Sequence, residues 1–208
     1  MREARIAVLD YGIGNLRSAQ KGLQRAGADA KLTRTQSDVD AADGVVLPGV
    51  GNFGRCAEEA EAHGVDALAR EAAESGRPFL GICVGMQLMF EGSDESPGVP
   101  GLGLMDGNAQ LLPATVRRPQ MQWNAITCRE PSPLLDGLDG AWFYFVHSFA
   151  VQPSDGVDVV TATCDYGGEV VAAVQAGNMF ATQFHPEKSS DAGRKLLENF
   201  VEICIGAA

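Results

Sequence analysis

A cysteine between two glycines is the residue of this sequence best suited to nucleophilic chemistry. The apolar run Arg77–Ile82 leads into Gly81-Ile82-Cys83-Val84-Gly85, and the helix-like segment Met86–Phe90 follows directly. A strand, a sharp turn and a helix in this order form a nucleophile elbow, where the turn exposes the side chain and the helix N-terminus favours a thiolate. A buried structural cysteine in a glycine-rich turn is the alternative for this segment alone.

The segment Phe184-His185-Pro186-Glu187 supplies a base that could activate this thiol. His185 and Glu187 are two residues apart, so at a strand end their side chains can share one face. A thiol nucleophile needs a base within hydrogen-bond distance and a third group that orients the base. A strand-terminal histidine with an ordinary hydrogen bond is the alternative if the segment stood alone.

The turn Pro48-Gly49-Val50-Gly51 follows the apolar run Val45–Leu47 and could supply backbone donors. Its two glycines allow positive φ and a close approach of the backbone, which suits an oxyanion hole made of main-chain N–H groups. By itself, the segment is better explained as a plain turn.

These three segments need a scaffold, and the first half of the chain predicts one by alternating strands with helices. The predicted strands are Arg5–Leu9, Asp29–Thr33, Gly44–Leu47 and Arg77–Ile82, and the predicted helices are Leu16–Ala26, Ala57–Ala62 and Val65–Glu74. Such alternation favours a mostly parallel sheet with helices on both faces.

The second half predicts an antiparallel extension. After a Gly/Pro/Ser-rich loop at Gly92–Gly107 come short strand-like runs at Asn108–Leu112, Ala125–Thr127, Trp142–Phe145, Val157–Thr163, Val170–Gln175 and Met179–Gln183. Asp139-Gly140 and Gly167-Gly168 are turn pairs typical of hairpins, and Ala192–Ile205 predicts a final amphipathic helix. The predicted fold class is therefore α/β, a single domain with a mixed, mostly parallel central sheet and an antiparallel extension.

Length and charge limit the class of protein. The 208 residues are enough for one domain with a continuous core, predicted to span residues 1–208. With 27 acidic and 16 basic side chains and a net charge of −11, the chain lacks the basic surplus of a nucleic-acid-binding protein. No run approaches the ~18 apolar residues of a membrane span, and Ile6–Leu9 is too short for a signal-peptide core, so we expect a cytoplasmic protein.

The cysteines and histidines do not predict a metal site or a disulfide framework. The five cysteines, Cys56, Cys83, Cys128, Cys164 and Cys204, include no C-x-x-C pair and are expected to be reduced thiols. The three histidines lie far from such clusters in sequence. His63 is interpreted as solvated and His147 as structural or as a support for the site.

Five segments resemble the class I glutamine amidotransferase family, whose glutaminase domains use a Cys-His-Glu triad. They are Asp10–Leu16, Pro48–Gly51, Gly81–Gln87, Tyr144–Ser148 and Phe184–Ser189, and the match extends over nearly the whole chain. Within the family they look like the glutaminase subunit of imidazole glycerol phosphate synthase, because Met86 and Lys188 stand where anthranilate-type glutaminases usually have His and Ser.

The resemblance implies Cys83 as the nucleophile, His185 as base and acid, and Glu187 as the carboxylate that orients it. Cys83 would attack the side-chain amide of glutamine to give a γ-glutamyl thioester and ammonia, and water would then release glutamate. The backbone N–H groups of Val84 and of the turn Gly49-Val50-Gly51 would hold the oxyanion. In this family the turn can rotate when the partner's ligand binds, which the flanking glycines make easy.

The resemblance also implies a glutamine pocket and no cofactor. Gln87 and Glu95 are assigned to the substrate, together with main-chain groups near Ser148 and Phe149. A polar helix residue facing solvent is the alternative for Gln87, and a solvated charge in the acidic loop Glu91–Glu95 is the alternative for Glu95.

The implied partner is the (β/α)8-barrel cyclase subunit of the same synthase, in a heterodimer. Asn15, Met121, Trp123 and Lys188 match positions that face the cyclase in the family, although core packing is an alternative for Trp123. Gln122 is a departure, because the family usually has Gly there, and a larger side chain could alter docking or the exit of ammonia.

Three other functions remain open from the sequence. A glutaminase of an anthranilate or aminodeoxychorismate synthase would share all the motifs. An α/β-hydrolase-like thiol enzyme would share the elbow, but its acid precedes the histidine, whereas the order here is Cys, His, Glu. A non-catalytic scaffold on the same fold is expected to lack part of the triad.

Overall fold

The strands of the protein are short and lie along the whole chain. The computed structural model describes residues 3–207. The domain predicted to span residues 1–208 therefore includes three residues, 1, 2 and 208, that lie outside the described range. The strands are β1 Arg5–Leu9, β2 Asp29–Thr33, β3 Gly44–Gly49, β4 Phe79–Cys83, β5 Gly92–Ser93, β6 Gly107–Leu111, β7 Gln120–Ala125, β8 Thr127–Cys128, β9 Trp142–His147, β10 Phe149–Pro153, β11 Val160–Asp165, β12 Glu169–Ala176 and β13 Met179–Thr182.

Helices cover the main sheet on both faces. They are α1 Leu16–Arg25, α2 Gln36–Asp40, α3 Phe53–Ala62, α4 Val65–Glu74, α5 Val84–Met89 and α6 Ser190–Gly206, with 3-10 turns at Pro133–Leu135 and Pro186–Lys188. Helix α1 packs against α6, whereas α4 packs against α2 and α3. Leu16, Ala19 and Leu23 form the buried stripe of α1, which explains why this segment is helical and how it docks.

The main sheet has eight strands in the order β2-β1-β3-β4-β13-β12-β11-β8. The first five are parallel to one another, and β12, β11 and β8 continue the sheet in antiparallel fashion. The parallel strands β1, β3 and β4 are almost completely buried, as expected for strands covered on both faces. This arrangement confirms the predicted mixed α/β sheet with an antiparallel extension.

Two smaller sheets flank the carboxyl edge. One has the order β10-β6-β5 and the other is the ribbon β7-β9. The ribbon places Gln120 opposite His147 and Trp123 opposite Tyr144, so each face of the ribbon carries alternate residues.

Several sequence predictions are corrected by the structure. Ala125–Thr127 is not one strand, because pairing with β9 ends at Ala125 and pairing with β11 begins at Thr127. Asp139-Gly140 does not join a hairpin, since β8 and β9 belong to different sheets; Asp139 accepts instead from the Cys128 N–H. Gly167-Gly168 does join the β11–β12 hairpin. Helix α2, strands β5 and β10, and residues 120–124 of strand β7 were not predicted.

The carboxyl ends of three neighbouring parallel strands bring the chemistry-bearing segments together. Gly49 of β3 lies in register with Cys83 of β4, and Thr182 of β13 lies in register with Ile82 of β4. The turn after β3, the cysteine after β4 and the histidine after β13 therefore emerge side by side. This edge is where open α/β sheets bind ligands.

Candidate active site

Cys83 joins β4 to α5 in a backbone conformation that side chains rarely adopt. Its φ of 55° and ψ of −110° lie outside the broad allowed regions, and only Ser190 shares a positive φ among the non-glycine residues from 3 to 207. Such strain costs about 1–3 kcal/mol and persists only where the surroundings enforce it. The conformation is that of a nucleophile elbow.

Three glycines let the surrounding backbone enforce this turn. A Cβ on Gly85 would collide with the carbonyl oxygen of Leu47, and a Cβ on Gly49 would lie 2.7 Å from the Gly85 nitrogen. A Cβ on Gly81 would lie 2.6 Å from Met89 Sδ. Strands β3 and β4 and helix α5 therefore approach more closely than any side chain would allow.

The His185 imidazole is oriented by a buried carboxylate. His185 Nδ1 lies 2.9 Å from Glu187 Oε1, and the two side chains are 1% and 2% exposed. Asn15 Nδ2 donates to the same oxygen at 3.2 Å. Because a carboxylate accepts, Nδ1 carries the proton of this hydrogen bond, and Nε2 is left for Cys83.

The backbone around His185 is anchored to strand β9 and to Ser189. The His185 N–H donates to the Tyr144 carbonyl at 3.0 Å. Ser189 Oγ donates to the His185 carbonyl at 2.6 Å and accepts from the Tyr144 N–H at 2.9 Å. These bonds hold the imidazole on a fixed support, although it lies beyond the end of β13.

His185 interacts with Cys83 without a hydrogen bond of normal geometry. Burial alone would lower the pKa of His185, but its interactions with Cys83 and Glu187 outweigh burial and raise that pKa to about 9. Nε2 is buried and makes no hydrogen bond to any of the described residues. Catalytic pairs often tighten only when substrate binds, so this geometry suits a general base.

Two side chains that were not predicted as site residues form hydrogen bonds with carbonyl groups of the turn Pro48–Gly51. Tyr11 Oη donates to the Pro48 carbonyl at 2.6 Å, and Cys56 Sγ donates to the Val50 carbonyl at 3.5 Å. Burial, together with Cys56 and Cys83, raises the pKa of Tyr11 well above its usual value, so its hydroxyl stays a donor. Gly51 has a φ of 102°.

A cavity of about 350 Å³ gathers most of the predicted site residues. The predicted residues that line it are Asn15, Val50, Gly51, Cys83, Val84, Gln87, Glu95, Ser148, Phe149, His185 and Lys188. Gly49, Glu187, Met121 and Trp123 do not line it. This volume lies at the lower end of the range of small-molecule sites.

Gln87 is buried within the site rather than turned to solvent. Its Nε2 donates to the Phe149 carbonyl at 3.0 Å and to Gln183 Oε1 at 3.1 Å. Gln183 Nε2 in turn lies 3.7 Å from Cys83 Sγ. This series of hydrogen-bonded amides joins α5, the start of β10 and Cys83. The only sequence signal for Gln183 was a polar residue at the end of an apolar strand.

Glu95 is bound to a helix N-terminus rather than free in an acidic loop. Its Oε2 accepts from the Phe53 N–H at 2.7 Å, in the first turn of α3. Ser96 Oγ accepts from the next N–H, that of Gly54, at 3.0 Å. A carboxylate held in this position gives the cavity a fixed acidic wall.

His147 lies in the same cavity and is fully enclosed. Its Nδ1 is 2.8 Å from the Phe149 carbonyl, whereas its Nε2 is buried and has no partner among the described residues. Burial, the largest cause, and the charge of His185 lower the pKa of His147 to about 4. It is therefore a neutral imidazole near neutral pH.

An apolar face adjoins the rim of the cavity. On the ribbon β7-β9, Met121, Trp123 and Trp142 are 62%, 45% and 59% exposed. They share one face, on which Trp123 packs edge-to-face against Tyr144 with ring centroids 6.3 Å apart. Lys188 Nζ lies 6.0 Å from the Tyr144 ring centroid and also lines the cavity, so the face and the cavity are continuous. Asn15, the other residue predicted to face the partner, instead donates from its side-chain amide to Glu187 Oε1.

A metal-ligating cluster and a membrane-spanning helix are both absent from residues 3–207. No group of three or more His, Cys, Asp or Glu side chains in this range could hold a metal ion, and all five cysteines are free. In the same range, no helix is long and apolar enough to cross a bilayer.

Comparison with known proteins identifies the family of this chain. The sequence profile of the family "Glutamine amidotransferase class-I" matches residues 7–204. The "Imidazole glycerol phosphate synthase subunit HisH" of Methanothermobacter thermautotrophicus is 47% identical over 198 residues, covering 95% of this chain and 98% of that protein. The subunit of the same name from Deinococcus radiodurans is 48% identical, covering 94% and 92%.

A solved structure described as a glutamine amidotransferase superposes with a TM-score of 0.76 at 23% identity, covering 96% of this chain and 98% of that one. At that identity it supports the fold alone. The profile match and the near full-length relatives show that this chain is a glutamine amidotransferase: it belongs to the class-I family and, within it, groups with the HisH subunits.

Proposed function

We propose that this chain is the glutaminase subunit of an imidazole glycerol phosphate synthase and that it hydrolyses glutamine to glutamate and ammonia. The observation that carries the proposal is the strained Cys83 beside a buried His185 that Glu187 orients. The HisH relatives support the choice of synthase. The ammonia would pass to a (β/α)8-barrel cyclase that forms imidazole glycerol phosphate and AICAR in histidine biosynthesis.

In the first half-reaction, His185 Nε2 holds the proton shared by the Cys83–His185 pair, in keeping with its pKa of about 9, and Cys83 Sγ attacks the carboxamide carbon of glutamine. The C–N bond breaks as His185 returns this proton to the departing nitrogen, which gives a γ-glutamyl thioester and ammonia. Glu187 stabilises the imidazolium in between, because its carboxylate lies 2.9 Å from Nδ1.

In the second half-reaction, His185 removes a proton from water, and the resulting hydroxide attacks the thioester carbon. The C–S bond breaks, glutamate leaves, and the proton taken from water stays in the Cys83–His185 pair, which returns to its starting state. The raised pKa of His185, about 9, suits a base that must hold a proton between these steps.

The oxyanion of both tetrahedral intermediates would be held by the N–H of Val84 and by an N–H of the turn Gly49-Val50-Gly51. This assignment is supported by the register that sets Gly49 beside Cys83. Tyr11 and Cys56 fasten two carbonyls of the turn, and the glycines on either side of Val50 permit a peptide rotation that the partner's ligand could control.

Glutamine carries an ammonium, a carboxylate and an amide, and the cavity is lined by polar groups that could bind it. Glu95 supplies a carboxylate for the ammonium, and main-chain groups at Ser148 and Phe149 supply polar partners for the rest of the molecule. Gln87 stabilises this wall by binding the Phe149 carbonyl. The site needs no cofactor.

The apolar face around Met121 and Trp123 would bind the cyclase, so that the two chains form a heterodimer. Its exposure and its continuity with the cavity through Lys188 support this role, because ammonia must leave the cavity towards the cyclase. Gln122, where the family usually has Gly, lies on the opposite face of the ribbon β7-β9. We place the pair in the cytoplasm, where a thiol nucleophile stays reduced.

Glutamate release by the complex with the cyclase and its nucleotide substrate tests this proposal. Cys83→Ala is expected to reduce glutamate release about 10³-fold or more, because no other group can form the thioester. Cys128→Ala, which changes a cysteine on β8 outside the cavity, is the matched control and should retain activity.

Full activity in Cys83→Ala would contradict the proposed chemistry. Stimulation by an anthranilate or aminodeoxychorismate synthase chain, and not by the cyclase, would keep Cys83 as the nucleophile but overturn the choice of synthase.

A further inference from the structure

His147 is a buried histidine of the cavity wall that the triad does not use. It is the last residue of β9, is 6% exposed, and lines the cavity together with Cys83 and His185. The Phe149 carbonyl that His147 Nδ1 binds also accepts from Gln87, whose partner Gln183 lies 3.7 Å from Cys83 Sγ, so His147 lies at the reacting end of the cavity.

The hydrogen bond of Nδ1 determines what Nε2 can do. Nδ1 lies 2.8 Å from the Phe149 carbonyl, which can only accept, so the proton of the neutral ring is on Nδ1. Nε2 is therefore an acceptor. It is buried and has no donor among the residues from 3 to 207. A buried acceptor without a donor is costly, and in an enzyme cavity it marks a place for a donor from the ligand.

No neighbouring side chain supplies that donor. Gln120 lies opposite His147 on the ribbon β7-β9, but its Nε2 is directed to Cys164 Sγ at 3.7 Å, and its Oε1 is itself an unpartnered acceptor. Gln87 uses its amide donors on Phe149 and Gln183. The donor that His147 lacks must therefore come from the contents of the cavity.

We propose that His147 Nε2 accepts a hydrogen bond from the carboxamide nitrogen of glutamine and from the ammonia that this nitrogen becomes. The inference rests on the proposed function and adds a substrate-contacting residue to it. Glutamine has N–H donors only on its ammonium and its carboxamide, and Glu95 offers a carboxylate for the ammonium. The neighbouring His185 places His147 beside the carboxamide.

The contact gives the two histidines complementary roles. His185 returns a proton to the departing nitrogen as the C–N bond breaks, and His147 accepts a hydrogen bond from the resulting NH3 without any proton transfer. The pKa of about 4 for His147, set mainly by burial, means that this ring brings no proton of its own to ammonia. Ammonia thus stays uncharged and nucleophilic for the cyclase.

Two substitutions of His147 test the roles of Nδ1 and Nε2 separately. His147→Asn keeps an N–H near the position of Nδ1, so it can still bind the Phe149 carbonyl, but it has no acceptor at the position of Nε2. His147→Gln places its amide oxygen near the position of Nε2 and can restore the acceptor. His63→Asn is the matched control, because His63 Nδ1 also lies 2.8 Å from a backbone carbonyl, that of Glu59, and lies outside the cavity.

Two substrates, tested on the complex with the cyclase, show whether His147 contacts the leaving group or only supports the structure of the site. Glutamine releases ammonia, whereas glutamic acid γ-methyl ester forms the same thioester on Cys83 but releases methanol, which has no N–H. We expect His147→Asn to lower kcat/KM for glutamine by roughly three- to tenfold, the size of one hydrogen bond, and to leave kcat/KM for the ester within about twofold. His147→Gln should recover part of the loss, and His63→Asn should match the wild type.

Equal losses on both substrates would overturn the inference and leave His147 as a support for Phe149. An unchanged kcat/KM for glutamine in His147→Asn would overturn it as well. Neither outcome would contradict the proposed function. That function would fail only if the wild-type complex released no glutamate from glutamine.

Discussion

Two buried histidines of one cavity have opposite charge preferences, and the groups next to each ring account for the difference. His185 has a carboxylate at 2.9 Å and a thiol beside it, which raise its pKa against the effect of burial. His147 has a carbonyl at Nδ1 and a charged neighbour in His185, and burial lowers its pKa. The pair illustrates how separate environments assign different roles to one residue type.

The stability of the protein should report the His185–Glu187 pair. The pKa of His185 is raised from 6.5 to about 9, so the folded chain binds this proton more tightly than the unfolded chain. The resulting stabilisation is complete below about pH 6.5 and is lost as the pH rises to about 9. We expect the free energy of unfolding to fall over this range, and to fall less in Glu187→Gln, as measured by denaturant titration.

Glu59→Gln is the control for this prediction, because Glu59 lies 3.7 Å from the partly exposed His63. It should leave the pH dependence close to that of the wild type, since exposed ion pairs contribute little. An unaltered pH dependence in Glu187→Gln would show that the carboxylate does not raise the pKa of His185. Glutamine turnover in Glu187→Gln should fall by about 10²–10⁴-fold.

At the scale of elements, the site depends on how closely β3, β4 and α5 approach one another. A Cβ at Gly85 would collide with the carbonyl of Leu47 on β3, and a Cβ at Gly49 would collide with the Gly85 nitrogen. No side chain fits at either position without moving a backbone segment. The nucleophile elbow is therefore a property of three packed elements, and not of the turn alone.

Gly85→Ala tests this packing. The new methyl group would displace the Leu47 carbonyl or α5, so we expect the free energy of unfolding to fall by about 1–3 kcal/mol and glutamine turnover to be lost. Gly206→Ala is the matched control: Gly206 ends α6 with open space around it, and alanine there should be neutral or slightly stabilising. Equal stability of the two variants would argue against tight packing at the elbow.

At the scale of the whole molecule, the exposed apolar face is the feature that the isolated chain does not explain. Met121, Trp123 and Trp142 are large side chains on one face of a two-stranded ribbon, and a monomer gains nothing from exposing them. Their position next to the mouth of the cavity fits a partner that receives the product. The net charge of −11 limits self-association through charge repulsion. It does not specify that partner.

Trp123→Ala should weaken binding of the cyclase. A buried aromatic anchor at an interface contributes about 2 kcal/mol or more, so Kd measured by calorimetry should rise about 30-fold. Ile205→Ala removes an apolar side chain that is 43% exposed on α6, and it should leave Kd unchanged. A similar Kd for Trp123→Ala and the wild type would mean that the cyclase binds elsewhere.

Local sequence predicted the strands and helices of the parallel half of the fold and indicated the three residues of the candidate triad. Arg5–Leu9, Asp29–Thr33 and Val65–Glu74 begin and end where their patterns predict, because a short apolar strand or an amphipathic helix is decided by neighbouring residues. Cys83, His185 and Glu187 could likewise be proposed from residue types and spacing, since each needs only a strand end and a turn.

The tertiary structure decided which strands pair and which polar groups remain without a partner. Ala125 and Thr127 belong to different sheets, and Asp139-Gly140 joins no hairpin, because long-range pairing carries no local signal. Tyr11, Cys56 and Gln183 joined the site only when distant segments met. The acceptor at His147 Nε2 depends on every surrounding element at once, so only the folded chain could reveal it.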